Sequence, residues 1–206
     1  MVDVLAQLTD GFAPNGNLAE DVPALFKRHG QDGLAIHVTL VAEQIERIAA
    51  QFGIDRTAAL QAAWLHDVSR ILPKSAMVEV AEQYGVEVLP EERVHPSILH
   101  GKLSALIADR VFHVSDPAVL DAMRCHTTLR PNATALDKAL FVADKLSWHP
   151  DDAPFRADLA AALTRSLDEA AWCFMNWLWQ QPMPVVHPWA RAARAELAER
   201  VGVSLA

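Results

Sequence analysis

The chain has 206 residues, 51% of them apolar and 21% charged, so it can bury a real core and is not a largely disordered chain. Eighteen Lys and Arg against 26 Asp and Glu leave a net charge of −8, which removes any global electrostatic reason to coat a phosphate backbone; neither nucleic acid nor a membrane is an expected partner. The two cysteines, Cys125 and Cys173, have no CxxC partner, which argues against a disulfide framework or a thiolate zinc site and fits a cytoplasmic protein.

The N-terminal residues lack the basic start and apolar core of a leader, and residues 1–30 are expected to form a helical extension to a single domain over 31–206. The most apolar stretch, 170–179, is about half of the roughly 18 to 20 residues needed to span a bilayer. Apolar residues recur mostly at three and four, and β-branched runs are short, so the expected fold is all-α. In the first strong helix, 34–52, Ile36, Leu40, Val41, Ile45 and Ile48 make one stripe and Gly53 supplies the stop. Asp55 is placed to N-cap a second helix running to Ser69. Pro73 opens a third, to Tyr84. A polar loop with Pro90, Glu91 and Glu92 follows, and His95-Pro96 starts a helix to Val111. Asp116-Pro117 repeats that start for a helix to Thr127. After a Pro131-Asn132 turn comes an apolar helix over 134–145, and a proline-containing break over 149–154 precedes one long helix, 155–181. A shorter helix covers 189–201.

The sequence has no GxGxxG, GxxxxGK[ST] or GxSxG. Chemistry in a helical bundle is built from side chains projecting between helices, so polar residues on faces that should be buried are the informative ones. His37 sits in an apolar stripe, His66-Asp67 ends the run Ala62-Ala63-Trp64-Leu65, and Asp144 follows Ala139-Leu140-Phe141-Val142-Ala143. An unpaired carboxylate there would carry a large desolvation penalty, which a divalent cation removes. Imidazoles and carboxylates without thiolates suit iron, manganese or zinc.

The ordered series His37, Leu65-His66-Asp67-Val68, His100-Gly101, His126-Thr127-Thr128-Leu129-Arg130-Pro131, Ala143-Asp144-Lys145 and His187-Pro188 resembles the HD-domain phosphohydrolase superfamily, and within it the YqeK family of symmetrical diadenosine tetraphosphate hydrolases. The resemblance implies a helical fold around two ions, iron favoured and manganese an alternative. His37, His66, Asp67 and Asp144 would hold one ion, and Asp67 would bridge to a second held by His100 and His126. Two such cations can hold a hydroxide that attacks phosphorus and can neutralise the phosphate oxygens. Arg130 would grip a phosphate through its planar fork, and Arg70 or Lys145 would offset transition-state charge. The implied activity is cleavage of diadenosine tetraphosphate into two ADP. Two other readings fit the same residues: hydrolysis of another nucleotide or phosphate ester, and a metal- or nucleotide-binding module without turnover.

The chain departs from the family's first motif, RxxHSxRVA, at Leu34, Val38 and Leu40. Arg70 stands where the family has lysine, Leu129 where HTTxRP often has glycine, and Ser147-Trp148 where an acidic residue and proline are usual. His187-Pro188 is read as a structural elbow, His95 as a capping or solvent-facing residue, and His29, His113 and His149 as surface. Trp172, Met175 and Trp179 share one helix face with Phe174 and Trp177 off it, a wide apolar arc expected in the core and compatible with a homodimer surface.

Overall fold

In the computed structural model, residues 4–147 and 153–205 are described, and every regular element among them is helical. The order is α1 Val4–Leu8, α2 Leu18–Arg28, α3 Asp32–Phe52, α4 Arg56–Leu65, α5 Met77–Gln83, α6 Pro90–Val94, α7 His100–Arg110, α8 Pro117–Cys125, α9 Ala135–Leu146, α10 Arg156–Leu163, α11 Leu167–Leu178 and α12 Pro188–Arg200. Short 3₁₀ turns stand at Val68–Ile71, Lys74–Ala76 and Pro96–Leu99. Among the described residues no helix is long and apolar enough to cross a membrane.

The expected caps act as caps. Asp55 accepts from the Ala58 amide and Asp116 from that of Ala118; Thr134, expected only as a helix start, also caps, accepting from the Asp137 amide while the Asp137 carboxylate accepts from the Thr134 amide. Other boundaries move. The second helix stops at Leu65, because His66 and Asp67 turn into the 3₁₀ turn that follows. The segment read as a polar loop contains α6, started by Pro90 and closed by Glu92, which accepts from the Leu89 amide. The single long helix expected over 155–181 is two helices, since the Ser166 hydroxyl caps the Glu169 amide and starts α11 afresh. Ile36 lies outside the stripe to which its spacing assigned it and is 59% exposed; Val38, Val41, Ala42, Ile45 and Ile48 form the buried face. The proline-containing break, with His149 and Trp148, lies largely outside the described residues.

Helix α9 carries the centre. Ala139 to Ala143 are all fully buried, so it is apolar on every side, as a helix surrounded by others must be. It packs against α3, α4, α8 and α11, and α3 packs in turn on α2 and α4. Val22, Leu25 and Phe26 of α2 join this core, so α2 is packed into the bundle. A smaller apolar cluster, with Met77, Val80, Leu99 and Leu103, lies under α5 and α7.

The C-terminal helix is tied back at several points. His187 accepts from the Trp189 amide, which makes the expected elbow, and its Nε2 stands 3.4 Å from buried Glu92, itself ion-paired to buried Lys102 of α7 at 2.9 Å. Arg194 lies over the rings of Trp172 and Trp179 at 5.4 and 5.0 Å, so two tryptophans of the wide apolar arc are covered within the chain. Glu196 accepts from the Asn132 amide.

Candidate metal centre

Five segments deliver the polar residues to one point. His37 projects from the second turn of α3, His66 and Asp67 follow the last turn of α4, His100 opens α7, His126 follows α8, and Asp144 sits in the last turn of α9. Three of those segments are helix C-terminal ends, whose carbonyl dipoles favour positive charge nearby. Gly101 lets α7 close on α8: a Cβ there would lie 2.8 Å from the Met123 oxygen and 3.0 Å from that of Arg124. Only a residue without a Cβ brings His100 against His126 without backbone movement.

Two ligand triplets result, His37–His66–Asp67 and Asp67–His100–His126, each with its donor atoms within 4.8 Å of one another. Asp67 belongs to both. Its Oδ2 faces His37 and His66, each at 3.8 Å, and its Oδ1 faces His100 at 3.2 Å and His126 at 3.7 Å. Asp144 Oδ1 joins the first set, 3.0 Å from His37 Nε2 and 3.7 Å from His66 Nε2.

Backbone carbonyls set the tautomers. Nδ1 of His66, His100 and His126 lies 2.7, 2.6 and 2.8 Å from the carbonyl oxygen three residues earlier, on Ala63, Ser97 and Met123. A carbonyl can only accept, so each Nδ1 carries a hydrogen and each ring turns its Nε2 into the centre. Nε2 of His100 and Nε2 of His126 are 2.9 Å apart. Asp67 Oδ1 beside them is buried without a hydrogen-bond donor. Buried nitrogen and oxygen atoms converging on one point, with one carboxylate oxygen left unpartnered, fit borderline or hard divalent metals.

The charges agree. Burial pushes the Asp67 carboxyl up, but the imidazoles of His66 and His100 and the Arg70 guanidinium outweigh it and hold it well below the usual carboxylate range. Burial opposes ionisation of Asp144 too, and Lys145, His37 and His66 overcome it. His126 is held well below the ordinary imidazole value by burial and by its neighbours His100 and His66, so it is a neutral imidazole. Burial lowers His37, yet the hydrogen bond to Asp144 and the charges of Asp144 and Asp67 raise it overall, so the imidazole holds its proton more firmly and shares it with that carboxylate.

The three expected cations separate. Arg70 Nη1 is 3.1 Å from Asp67 Oδ2, with its side chain 46% exposed. Lys145 is buried and donates to Asp144 Oδ2 at 2.7 Å and to the His126 carbonyl at 2.8 Å. Arg130 is bound elsewhere: Nε donates to buried Asp137 and Nη1 to Asp121, both at 2.9 Å, tying α8 to α9 across the loop that follows His126. The Thr127 hydroxyl lies 3.2 Å from His100 Nε2 and 3.3 Å from His126 Nε2. Sequence reasoning gave Thr127, Gly101 and Asp137 no role. Their signals were adjacency to a ligand, a glycine inside a helix and the third position after a capping threonine. A groove of about 780 Å³ between α10, α11 and α12 is lined by none of the cluster residues.

Comparison with known proteins adds a family pattern. The HD domain matches residues 34–149. An uncharacterized protein in the pepC 5'region of Lactococcus lactis subsp. cremoris is 39% identical over 72% of this chain and 76% of its own length. A symmetrical bis(5'-nucleosyl)-tetraphosphatase of Bacillus subtilis is 32% identical over 61% of this chain and 67% of its own. A crystal structure from Clostridium acetobutylicum, described as a predicted HD superfamily hydrolase involved in NAD metabolism, superposes with a TM-score of 0.80 at 23% identity, covering 87% of this chain and 96% of that one.

Proposed function

The chain belongs to the HD domain family and is a hydrolase, and from that premise we propose that it splits diadenosine tetraphosphate symmetrically into two ADP at a two-metal centre. One observation carries the metal reading: Asp67, with Oδ1 unpartnered, turns its two oxygens to two separate histidine sets. The substrate reading is supported by the relatives named symmetrical tetraphosphatases, at 30–32% identity. In this proposal His37, His66, Asp67 and Asp144 hold one ion, Asp67, His100 and His126 the other, iron favoured over manganese. When bound, the ions supply activation of water near pH 7 and neutralise charge on the phosphate oxygens.

The chain's own residues do the rest. The Nδ1–H bonds to backbone carbonyls hold three imidazoles in the ligating tautomer. Lys145 holds Asp144 and the turn after His126 in register, a positioning task to which both its bonds are committed. Arg70 stands between Asp67 and solvent, so its exposed fork is available to an incoming phosphate while one nitrogen stays on Asp67. Arg130, bound to Asp121 and Asp137, orders the loop. The family departures at Leu34 and Leu40 leave half-buried apolar side chains near the first ligand, and Val38 is fully buried, where it serves packing.

The test is product analysis with diadenosine tetraphosphate, using protein loaded with iron under reducing conditions and with manganese in parallel. ADP as the sole nucleotide product, lost together with bound metal in Asp67→Asn, is expected. AMP plus ATP would overturn symmetrical cleavage, and turnover that survives metal removal would overturn the metal reading.

A further inference from the structure

We infer that Ser69 and Ser104 are positioning residues: their hydroxyls form a buried clasp that holds the turn after Asp67 against the first turn of α7, and so sets the spacing of the Asp67–His100–His126 triplet. The inference rests on the two-metal reading and goes beyond it, since neither serine is among the proposed ligands or the cations around them.

The clasp is a relay of three hydrogen bonds whose direction is fixed at both ends. The Ser69 amide, which can only donate, gives its hydrogen to Ser104 Oγ at 3.1 Å. Ser104 Oγ donates to Ser69 Oγ at 3.1 Å, and Ser69 Oγ donates at 2.8 Å to the His100 carbonyl, which can only accept. Bonds linked head to tail polarise one another, so the three act together. Both serines are fully buried, where water does not replace a lost partner. Serine within a helix is less favourable than alanine, and Leu103 and Ala105 on either side of Ser104 are fully buried apolar residues. The hydroxyl at position 104 is explained by what it reaches, not by its surroundings.

What it reaches is the centre's frame. Ser69 lies in the 3₁₀ turn Val68–Ile71, two residues after Asp67, and Ser104 lies one helical turn after His100. The relay therefore joins two ligand-bearing segments without using a ligand side chain. It spans the shortest of the Asp67 contacts, 3.2 Å to His100 against 3.7 Å to His126 and 3.8 Å to His37 and His66. With Gly101 closing α7 on α8, the first turn of α7 is fixed on two sides. The other triplet has no counterpart: among the described residues, α3 makes no hydrogen bond or ion pair to residues 66–71 except through His37 itself.

The test compares wild type, Ser69→Ala, Ser104→Ala and the double variant. Three quantities are read: manganese binding to chelator-treated protein by calorimetry, helical content by circular dichroism, and kcat/KM on diadenosine tetraphosphate at limiting and at saturating manganese. Ser69→Ala is expected to keep its helical content and the affinity of the tighter-held ion while the other ion binds about 10-fold more weakly. Its kcat/KM falls at limiting manganese and recovers at saturation, which a general loss of packing would not do. Ser104→Ala, which leaves the bond to the His100 carbonyl, shows a smaller shift of the same ion, and the double variant is no worse than Ser69→Ala. Unchanged affinity for both ions in Ser69→Ala overturns the inference, and so does equal weakening of both. Should Ser69→Ala fail to fold, the milder Ser104→Ala decides by the same two criteria. Failure of the underlying reading is seen separately, as a wild type that binds one ion or none.

Discussion

At the scale of single residues, the molecule keeps its buried charges in chains rather than pairs. Arg130 is held by Asp121 and Asp137, and Asp137 also accepts from the Thr134 amide while its Oδ1 has no hydrogen-bond partner. Removing the guanidinium leaves a fully buried carboxylate without its counter-charge, so Arg130→Leu is expected to lower stability by about 3 kcal/mol. Differential scanning calorimetry should register this as a midpoint about 6–12 °C lower. A midpoint within 2 °C of wild type would show that the triad contributes little. His37, His66, Asp67 and Asp144 were legible as candidate ligands at this scale, because each is a polar residue on an apolar face or at the end of an apolar run, whereas His100 and His126 joined them only through the resemblance to the family. What each cation binds was not legible, since Asp121 and Asp137 are nine and seven residues from Arg130 and nothing in a linear pattern says which carboxylate its fork will reach.

At the scale of elements, the site depends on how closely helices approach. Gly101→Ala places a methyl 2.8 Å from a backbone oxygen, which only separation of α7 from α8 can relieve. Overpacking of this kind costs about 1–3 kcal/mol. The variant is expected to keep its helical content but to bind about half the metal of wild type, because His100 withdraws from the second triplet while the first is untouched. Metal content by mass spectrometry checks this, and full two-ion loading would refute it. Helix starts were legible wherever Asp, Thr or Pro opens an apolar run. The break between α10 and α11 went unread because the intervening Thr164-Arg165-Ser166 carries no glycine or proline; its signal was Ser166 followed by Glu169, a capping pattern inside what reads as a continuous apolar periodicity. The exposure of Ile36 shows the converse limit. A helical stripe can be read in more than one phase when nearly every third residue is apolar, and tertiary packing on α2, α4 and α9 selects Val38 instead.

At the scale of the whole molecule, the metal-free protein should be most stable close to pH 6.5. His126 is neutral in the folded state with its pKa held below the unfolded value, so on acidification below about 6.5 the unfolded chain takes up a proton that the folded one refuses, and stability falls. His37 is raised, so its contribution is fully present below about 6.5 and is lost as pH rises through its folded value. Asp67 and Asp144 are lowered, so their contribution is present above about pH 4 and is lost as pH falls through their folded values. Urea midpoints of chelator-treated protein at pH 5, 6.5 and 8 should therefore peak at the middle value, and a monotonic trend would contradict the assignment. The bundle also has an order of completion. Every proposed ligand lies between residues 37 and 144, whereas the ties made by α12 reach back 95 residues, from His187 to Glu92, and 64, from Glu196 to Asn132. During synthesis the helices that bear the proposed ligands leave the ribosome before the segment that pairs Glu92 and secures the turn at Asn132. The nascent chain can thus gather its histidines before its outer helix exists, and closure by α12 is the late, long-range step in maturation.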